Sequence, residues 1–351
     1  MTAYFRDSSE DESVSTKVDI DGDFYKVTIN KGVKSIVTFG DIFTLDYVVD
    51  FFKDTNNALP VAAGITESGK PILVDLKRKH NMMIAGKPQS GKSWYILSLL
   101  TSLMAFNTPE DVVFLLIDPK ESTLFKTLSL MPHVCGLHND DNILKILEDV
   151  IELEGGRRKK LLADHNCEDI WDLREQKNIK LPILYIVIDE IMTINSRLGP
   201  DAKTFSKLMA TIISQMPSLG VRLIFVPHRP QGTIDKTVRL LLEYVVAVRA
   251  EPTVVKETLD VKTWNRALTH AGDMALKIQD FGKEMVARGV AVTTSRHENT
   301  IFLKNLARGY YKMGVEIPNM KTIGMGYNRD EEKIKHELEL KEEISKVQFN
   351  T

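Results

Sequence analysis

Residues Gly86-Lys87-Pro88-Gln89-Ser90-Gly91-Lys92-Ser93 fit the spacing GxxxxGK[ST], and each position has a mechanical use toward phosphate. The glycines let main-chain N–H groups curl round phosphate oxygens. The helix expected to start at Lys92 turns its positive end toward the same anion. Lys92 reaches for the β- and γ-phosphates, and the Ser93 hydroxyl is placed to ligate Mg²⁺. Gly86 through Ser93, with Trp94 beside them, are therefore the candidate nucleotide-binding residues, and ATP and Mg²⁺ are the expected ligands. The alternative is a glycine turn that binds nothing. An apolar run at 81–85 before the loop and a helical pattern at 92–105 after it favour the phosphate reading.

A nucleotide hydrolase needs a second acid on a neighbouring strand, and the apolar run 183–188 ends in Asp189-Glu190. That is the C-terminal end of a strand, where α/β sheets bind ligands. Asp189 is expected in the Mg²⁺ shell, and Glu190 is expected to polarise the attacking water. Two solvated acids capping a strand would be the bland alternative. The adjacent pair favours hydrolysis over phosphoryl transfer to a small molecule, because no acceptor-site signature accompanies it.

Apolar runs at 81–85, 112–117, 183–188, 221–226 and 244–248 alternate with helical patterns at 92–105, 142–163, 203–215 and 233–242. Continuous Val/Ile/Leu runs separated by helices predict an α/β fold built on a parallel sheet. Runs at 274–279 and 285–292, split by Asp280-Phe281-Gly282, predict a hairpin at the sheet edge. Residues 1–15 read as an acidic tail and 16–55 as a small α+β appendage, with strands in 24–39 about a turn at Asn30-Lys31-Gly32 and a helix at 43–52. The main domain spans 56–308. A charged segment follows at 309–351, with one amphipathic helix carried by Ile334, Leu338, Leu340 and Ile344.

Within this frame the chain resembles the motor domain of the FtsK/SpoIIIE DNA translocases. The resemblance rests on Leu59-Pro60-Val61-Ala62-Ala63-Gly64, Gly69-Lys70-Pro71 and Asp75-Leu76 ahead of the loop, and on Asp118-Pro119-Lys120, Met131-Pro132-His133, Arg157-Arg158, His228-Arg229-Pro230 and Gly272-Asp273-Met274 after it. It implies a RecA-like P-loop NTPase fold and a homo-oligomeric ring, usually a hexamer, that pulls double-stranded DNA through its channel. It also implies ATP bound between subunits, with a neighbour's arginine completing the site. The family's glutamine before Arg-Pro, taken to sense the γ-phosphate, is His228 here. Pro217 falls near the usual place of the family's arginine, which leaves Arg222 as the candidate trans-acting residue. Only about 60 residues follow Val292, too few for the family's winged-helix domain plus a tail. The expectation is a compact relative that moves mobile-element DNA in conjugation, packaging or segregation, with a relaxase, replication protein or membrane component as partner. A type VII-like protein-secretion ATPase and a nucleotide-gated scaffold with little turnover are the alternatives.

The net charge of −2, from 46 basic and 48 acidic residues, hides an uneven distribution. Residues 1–24 carry −5 and residues 329–351 carry −2, so the body between them carries +5. Basic clusters at Lys77-Arg78-Lys79-His80, Arg157-Arg158-Lys159-Lys160 and Lys203/Lys207 are candidate phosphate contacts. So is the segment 231–239 with Lys236 and Arg239, although a solvated face is the usual fate of such clusters. No aromatic interleaving points to single-stranded bases. Cys135 and Cys167 stand in no ligand spacing, so neither a disulfide scaffold nor a zinc site is expected, even with His133 and His138 flanking Cys135. Trp94, Trp171 and Trp264 read most simply as core or interface aromatics. The longest apolar stretch, 96–106, is far short of the roughly 18 residues that cross a bilayer, and the acidic start is unlike a secretory signal. A cytoplasmic protein, membrane-associated at most through a partner, is expected.

Overall fold

The computed structural model describes residues 4–6, 13–21, 24–31, 36–54, 56, 58–78, 81–139, 142–228 and 236–315. At the N-terminus β1 (Tyr4–Arg6), β2 (Ser13–Asp21) and β3 (Phe24–Lys31) form an antiparallel sheet in the order β1-β2-β3. The expected acidic tail is thus partly strand. Val14, Thr16, Val18 and Ile20 alternate as a strand requires, and Val18 registers with Val27. Asn30 and Lys31, expected in a turn, belong to β3 and pair with Ser15 and Val14, while Gly32 lies outside the described residues.

The rest of the expected appendage packs into the main body. β4 (Val37–Thr38) leads into α1 (Phe39–Ile42) and α2 (Asp46–Lys53), whose Phe39, Ile42, Val48 and Phe52 are buried in the main core. Phe52 and Phe43 stack near Phe106, with ring centroids 4.3 and 5.1 Å away. The boundary drawn at 55 therefore cuts through packed structure.

Next come the hairpin β5 (Pro60–Thr66) and β6 (Pro71–Asp75), then β7 (Met82–Ala85) and α3 (Lys92–Phe106). β8 (Val112–Ile117), α4 (Thr123–Leu128) and β9 (Val134–His138) follow. The predicted helix 142–163 is α5 (Ile143–Asp149) and α6 (Gly155–Asp164) joined by a π-helical turn, Val150–Glu154. The chain continues through α7 (Ile170–Lys177), β10 (Ile183–Asp189), α8 (Ile191–Leu198), α9 (Ala202–Gln215) and β11 (Val221–Val226). It ends with α10 (Lys236–Arg239), β12 (Tyr244–Val248), α11 (Pro252–Leu259), β13 (Asp273–Ile278), β14 (Met285–Arg288), β15 (Val290–Ala291) and α12 (Arg296–Lys312).

Ten strands form one sheet in the order β6-β5-β14-β13-β12-β7-β11-β10-β8-β9. From β12 to β9 every pairing is parallel. β8, β10, β11 and β12 are buried along their apolar lengths, as strands covered on both faces must be. The predicted hairpin, β13 and β14, flanks this parallel block but does not end the sheet. It pairs onward through Ala287 and Arg288 with Thr66 and Ile65 of β5, so the outer edge is β6. The residues read as a lead-in to the phosphate loop thus complete an antiparallel wing. α3 is buried nearly all round, as expected of a helix with little polar surface. No helix of the described residues is long and apolar enough to cross a membrane.

Candidate functional site

β7 stops at Ala85, and the chain turns at Gly86 because nothing larger fits. A Cβ there would lie 2.4 Å from the Val248 carbonyl oxygen and 2.8 Å from Ser90 Oγ. The loop ends at Gly91, φ +106°, a left-handed conformation natural to glycine, which caps the 15-residue helix α3. Gln89 also takes a positive φ, +60°. Lys92, 8% exposed, folds back so that Nζ donates to the carbonyls of Gly86 at 2.5 Å and Lys87 at 2.8 Å. Burial pulls its pKa down, and the nearby Glu190 and Asp189 carboxylates oppose that pull. The buried Ser90 hydroxyl has no partner among the described residues, while Ser93 is exposed at the start of α3. Lys87 stands 3.7 Å from Glu251 in an exposed pair.

Asp189 ends β10 and Glu190 follows, but their strand is not the immediate neighbour of β7. β11 lies between them, registered with β10 at Asp189–Val226 and with β7 at Phe225–Met83. This intervening strand delivers His228 into the gap. His228 Nε2 is 2.6 Å from Glu190 Oε1, and Nδ1 is 3.4 Å from both Lys92 Nζ and the Gly86 carbonyl. Glu190, a non-glycine residue at φ +61°, also accepts from Lys120 Nζ at 2.8 Å through its other oxygen.

The Asp189 carboxyl is pushed up to about 6, first by burial and then by the charges of Asp118 and Glu190, against the pull of Lys120 and Lys92. Asp118, at the end of β8, is buried and accepts from the backbone N–H groups of Lys120 at 3.0 Å and Ser122 at 2.6 Å. Asp118 and Lys120 entered the sequence reading only through the family likeness. Their proximity to Asp189 and Glu190 follows from the β8–β10 pairing, which no local pattern displays.

A cavity of about 460 Å³ opens beside the loop, walled by Ser90–Tyr95 on one side and Gly272, Arg288 and Val290 on the other. Trp94, expected beside the nucleotide, is half-buried and lines this cavity. The same tryptophan, with Ser93 and Arg296, also lines a smaller cavity of about 210 Å³ against α4 and α12.

Arg222 is not where a trans-acting arginine must be. It sits near the N-terminal start of β11, opposite the phosphate end, and is 0% exposed. Its guanidinium donates to the carbonyls of Leu76 at 2.7 Å and Lys77 at 2.8 Å and to the Tyr185 hydroxyl at 3.0 Å. It is an internal tie between the strand and residues 76–77. Arg158 is likewise internal: it pairs with buried Glu154 at 2.7 Å and donates to the Leu219 and Pro182 carbonyls. Arg157, 38% exposed, is held at the surface by the same Glu154.

Trp171 stacks beneath the cations of Lys77, Arg174 and Arg222, and half-buried Trp264 donates to the Arg266 carbonyl. His133 is buried with Nε2 2.8 Å from the Asn107 carbonyl, and no group of three or more metal-binding side chains occurs among the described residues. Lys79, His80, residues 229–235 and the helix proposed around Ile334 to Ile344 lie outside the described residues, as does the Lys236 side chain.

The sequence profile of the FtsK/SpoIIIE family matches residues 48–251. Among curated relatives, the DNA translocase FtsK of Haemophilus influenzae is 27% identical over 259 residues, 64% of this chain and 47% of its own length. The DNA translocase SftA of Bacillus subtilis is 28% identical over 246 residues, 68% of this chain and 25% of its own. This chain therefore spans about a quarter to a half of these relatives. Among solved structures, the cytoplasmic domain of the Thermomonospora curvata type VII secretion ATPase EccC superposes with a TM-score of 0.65 at 21% identity, covering 77% of this chain and 34% of that one. The pCW3 conjugation coupling protein TcpA superposes with a TM-score of 0.59 at 16% identity, covering 87% and 92%. At such identities the structural likenesses speak for the α/β P-loop fold alone.

Proposed function

This chain belongs to the FtsK/SpoIIIE family, and from that premise we infer that it is an ATP-hydrolysing motor that moves double-stranded DNA as a ring of identical subunits, in the transfer, packaging or segregation of mobile-element DNA. The observation that carries this reading is the convergence of Lys92, Asp189, Glu190 and His228 at the phosphate end of three adjacent strands. An incoming triphosphate takes over the Lys92 ammonium from the loop carbonyls of Gly86 and Lys87 and gives the orphaned Ser90 hydroxyl a partner.

The oxygen donors of Ser93 and Asp189 suit Mg²⁺, and the crowding of Asp118 and Asp189 carboxylates is what a bound cation relieves. When bound, the metal neutralises charge developing on the phosphates. Glu190 accepts a proton from the attacking water, whose oxygen bonds to the γ-phosphorus as the bond to the ADP oxygen breaks. His228 lies between this base and Lys92 and is placed to register whether a γ-phosphate is present. Arg222 is committed to the interior and does not complete a neighbour's site.

The test is steady-state phosphate release with and without long duplex DNA. Turnover stimulated by duplex and abolished in Lys92→Ala and Glu190→Gln is the expected result. Turnover indifferent to DNA but raised by a protein substrate would replace translocation by secretion, and nucleotide binding without turnover would leave a scaffold.

A further inference from the structure

The geometry points to Lys120 as a latch on the water-activating carboxylate, holding basal hydrolysis low until the turn that carries it is displaced. This rests on the reading above, in which Glu190 is the base. Both Glu190 oxygens are occupied: Oε2 by Lys120 Nζ at 2.8 Å and Oε1 by His228 Nε2 at 2.6 Å. The Glu190 side chain is only 7% exposed, whereas Lys120 is 55% exposed and reaches it from the solvent side. Held at both oxygens and buried, the carboxylate cannot swing toward a water at the γ-phosphate until one of these contacts breaks.

The two arms are connected differently. His228 touches Lys92 and the Gly86 carbonyl, so a γ-phosphate arriving at Lys92 competes directly for the imidazole. Among the described residues, the Lys120 ammonium bonds Glu190 and no atom of the loop. Its backbone belongs to the 118–122 turn, pinned by the Asp118 carboxylate, and that turn leads into Ser122, the N-cap of α4. α4 in turn packs against α12. The γ-phosphate therefore acts on the histidine arm, and release of the lysine arm requires motion of the 118–122 turn or of α4. Lys120 is a positioning residue in this scheme: it acts through Glu190, and its own side chain is 55% exposed.

The experiment measures kcat and KM for ATP in the full chain, without DNA and with saturating duplex, for the wild type, Lys120→Met, Lys120→Arg and Glu190→Gln. Lys120→Met is expected to raise DNA-free kcat about three- to tenfold, as loss of one partly exposed ion pair would. Its KM should stay within about twofold and its stimulated kcat should match the wild type. Lys120→Arg should restore the low basal rate. An unchanged DNA-free kcat in Lys120→Met overturns the latch, and so does a parallel fall of basal and stimulated rates, which would make Lys120 a charge acting directly on the transition state. Failure of the underlying reading looks different: Glu190→Gln would keep turning over, or the wild type and Lys120→Met would both be silent.

Discussion

The phenol oxygens of Tyr95 and Tyr244 lie 2.5 Å apart in the core and tie the helix after the phosphate loop to β12. Tyr95 also lies 3.2 Å from the carbonyl of Ala63, which sits at the register shift between β5 and β6. Burial pushes both phenols above their ordinary range, so both remain protonated donors at any working pH. Tyr244→Phe leaves Tyr95 its bond to Ala63 and should cost about 1 kcal/mol. Tyr95→Phe strands both the Ala63 carbonyl and the Tyr244 hydroxyl and should cost about 2–3 kcal/mol. Denaturant unfolding of the two variants checks the order, and a larger loss in Tyr244→Phe would refute it.

Arg222→Ala should destabilise the fold itself, by about 3 kcal/mol or more. It removes a buried guanidinium and leaves the Leu76 and Lys77 carbonyls and the Tyr185 hydroxyl without that donor. A lowered unfolding midpoint is the expected signal. An arginine acting on a neighbour's nucleotide would instead leave stability untouched and abolish turnover in the assembled protein.

Gly86→Ala should lower nucleotide affinity at least tenfold, because its Cβ would collide with the Val248 carbonyl oxygen and displace the loop. Gly156→Ala is the matched control. That position in α6 has open space around its Cβ and helical backbone, so alanine there should leave binding alone and raise stability by about 0.5–1 kcal/mol. Titrating a fluorescent ATP analogue into both variants separates the two outcomes.

Glu154→Gln should cost about 3–5 kcal/mol, because Arg158 would keep its carbonyl partners but lose the fully buried carboxylate that faces it. Replacing the pair together, Glu154→Leu with Arg158→Met, removes the uncompensated charge but leaves the Leu219 and Pro182 carbonyls without that donor, so it should recover only part of that loss. Equal stability of the single and double variants in chemical unfolding would show that the pair is not the source of the cost.

What could be read without coordinates was whatever depends on neighbours in the chain. Strands β8, β11 and β12 match their apolar runs residue for residue, because strands buried on both faces leave an unbroken apolar signature. The phosphate loop was legible because its glycines, lysine and serine act within one continuous turn. The N-terminal strands were harder: the acidic residues among their alternating apolar ones look like tail, and pairing decides the matter.

The sequence by itself thus determined the fold class, the phosphate loop and the acidic pair at 189–190. These rest on periodicity and on motifs that span a few residues. Tertiary structure decided which distant side chains share the site. Parallel pairing put β11 between β7 and β10, so His228 arrived at Glu190, and it put β8 beside β10, so Lys120 arrived at Glu190 and Asp118 near Asp189. The same strand order turned Arg222 inward at the opposite end of its strand, away from any phosphate. A residue's exposure and the end of the sheet it faces are set by what packs across from it, and that partner lies about 145 residues away for Arg222 and Lys77 and 70 for Lys120 and Glu190.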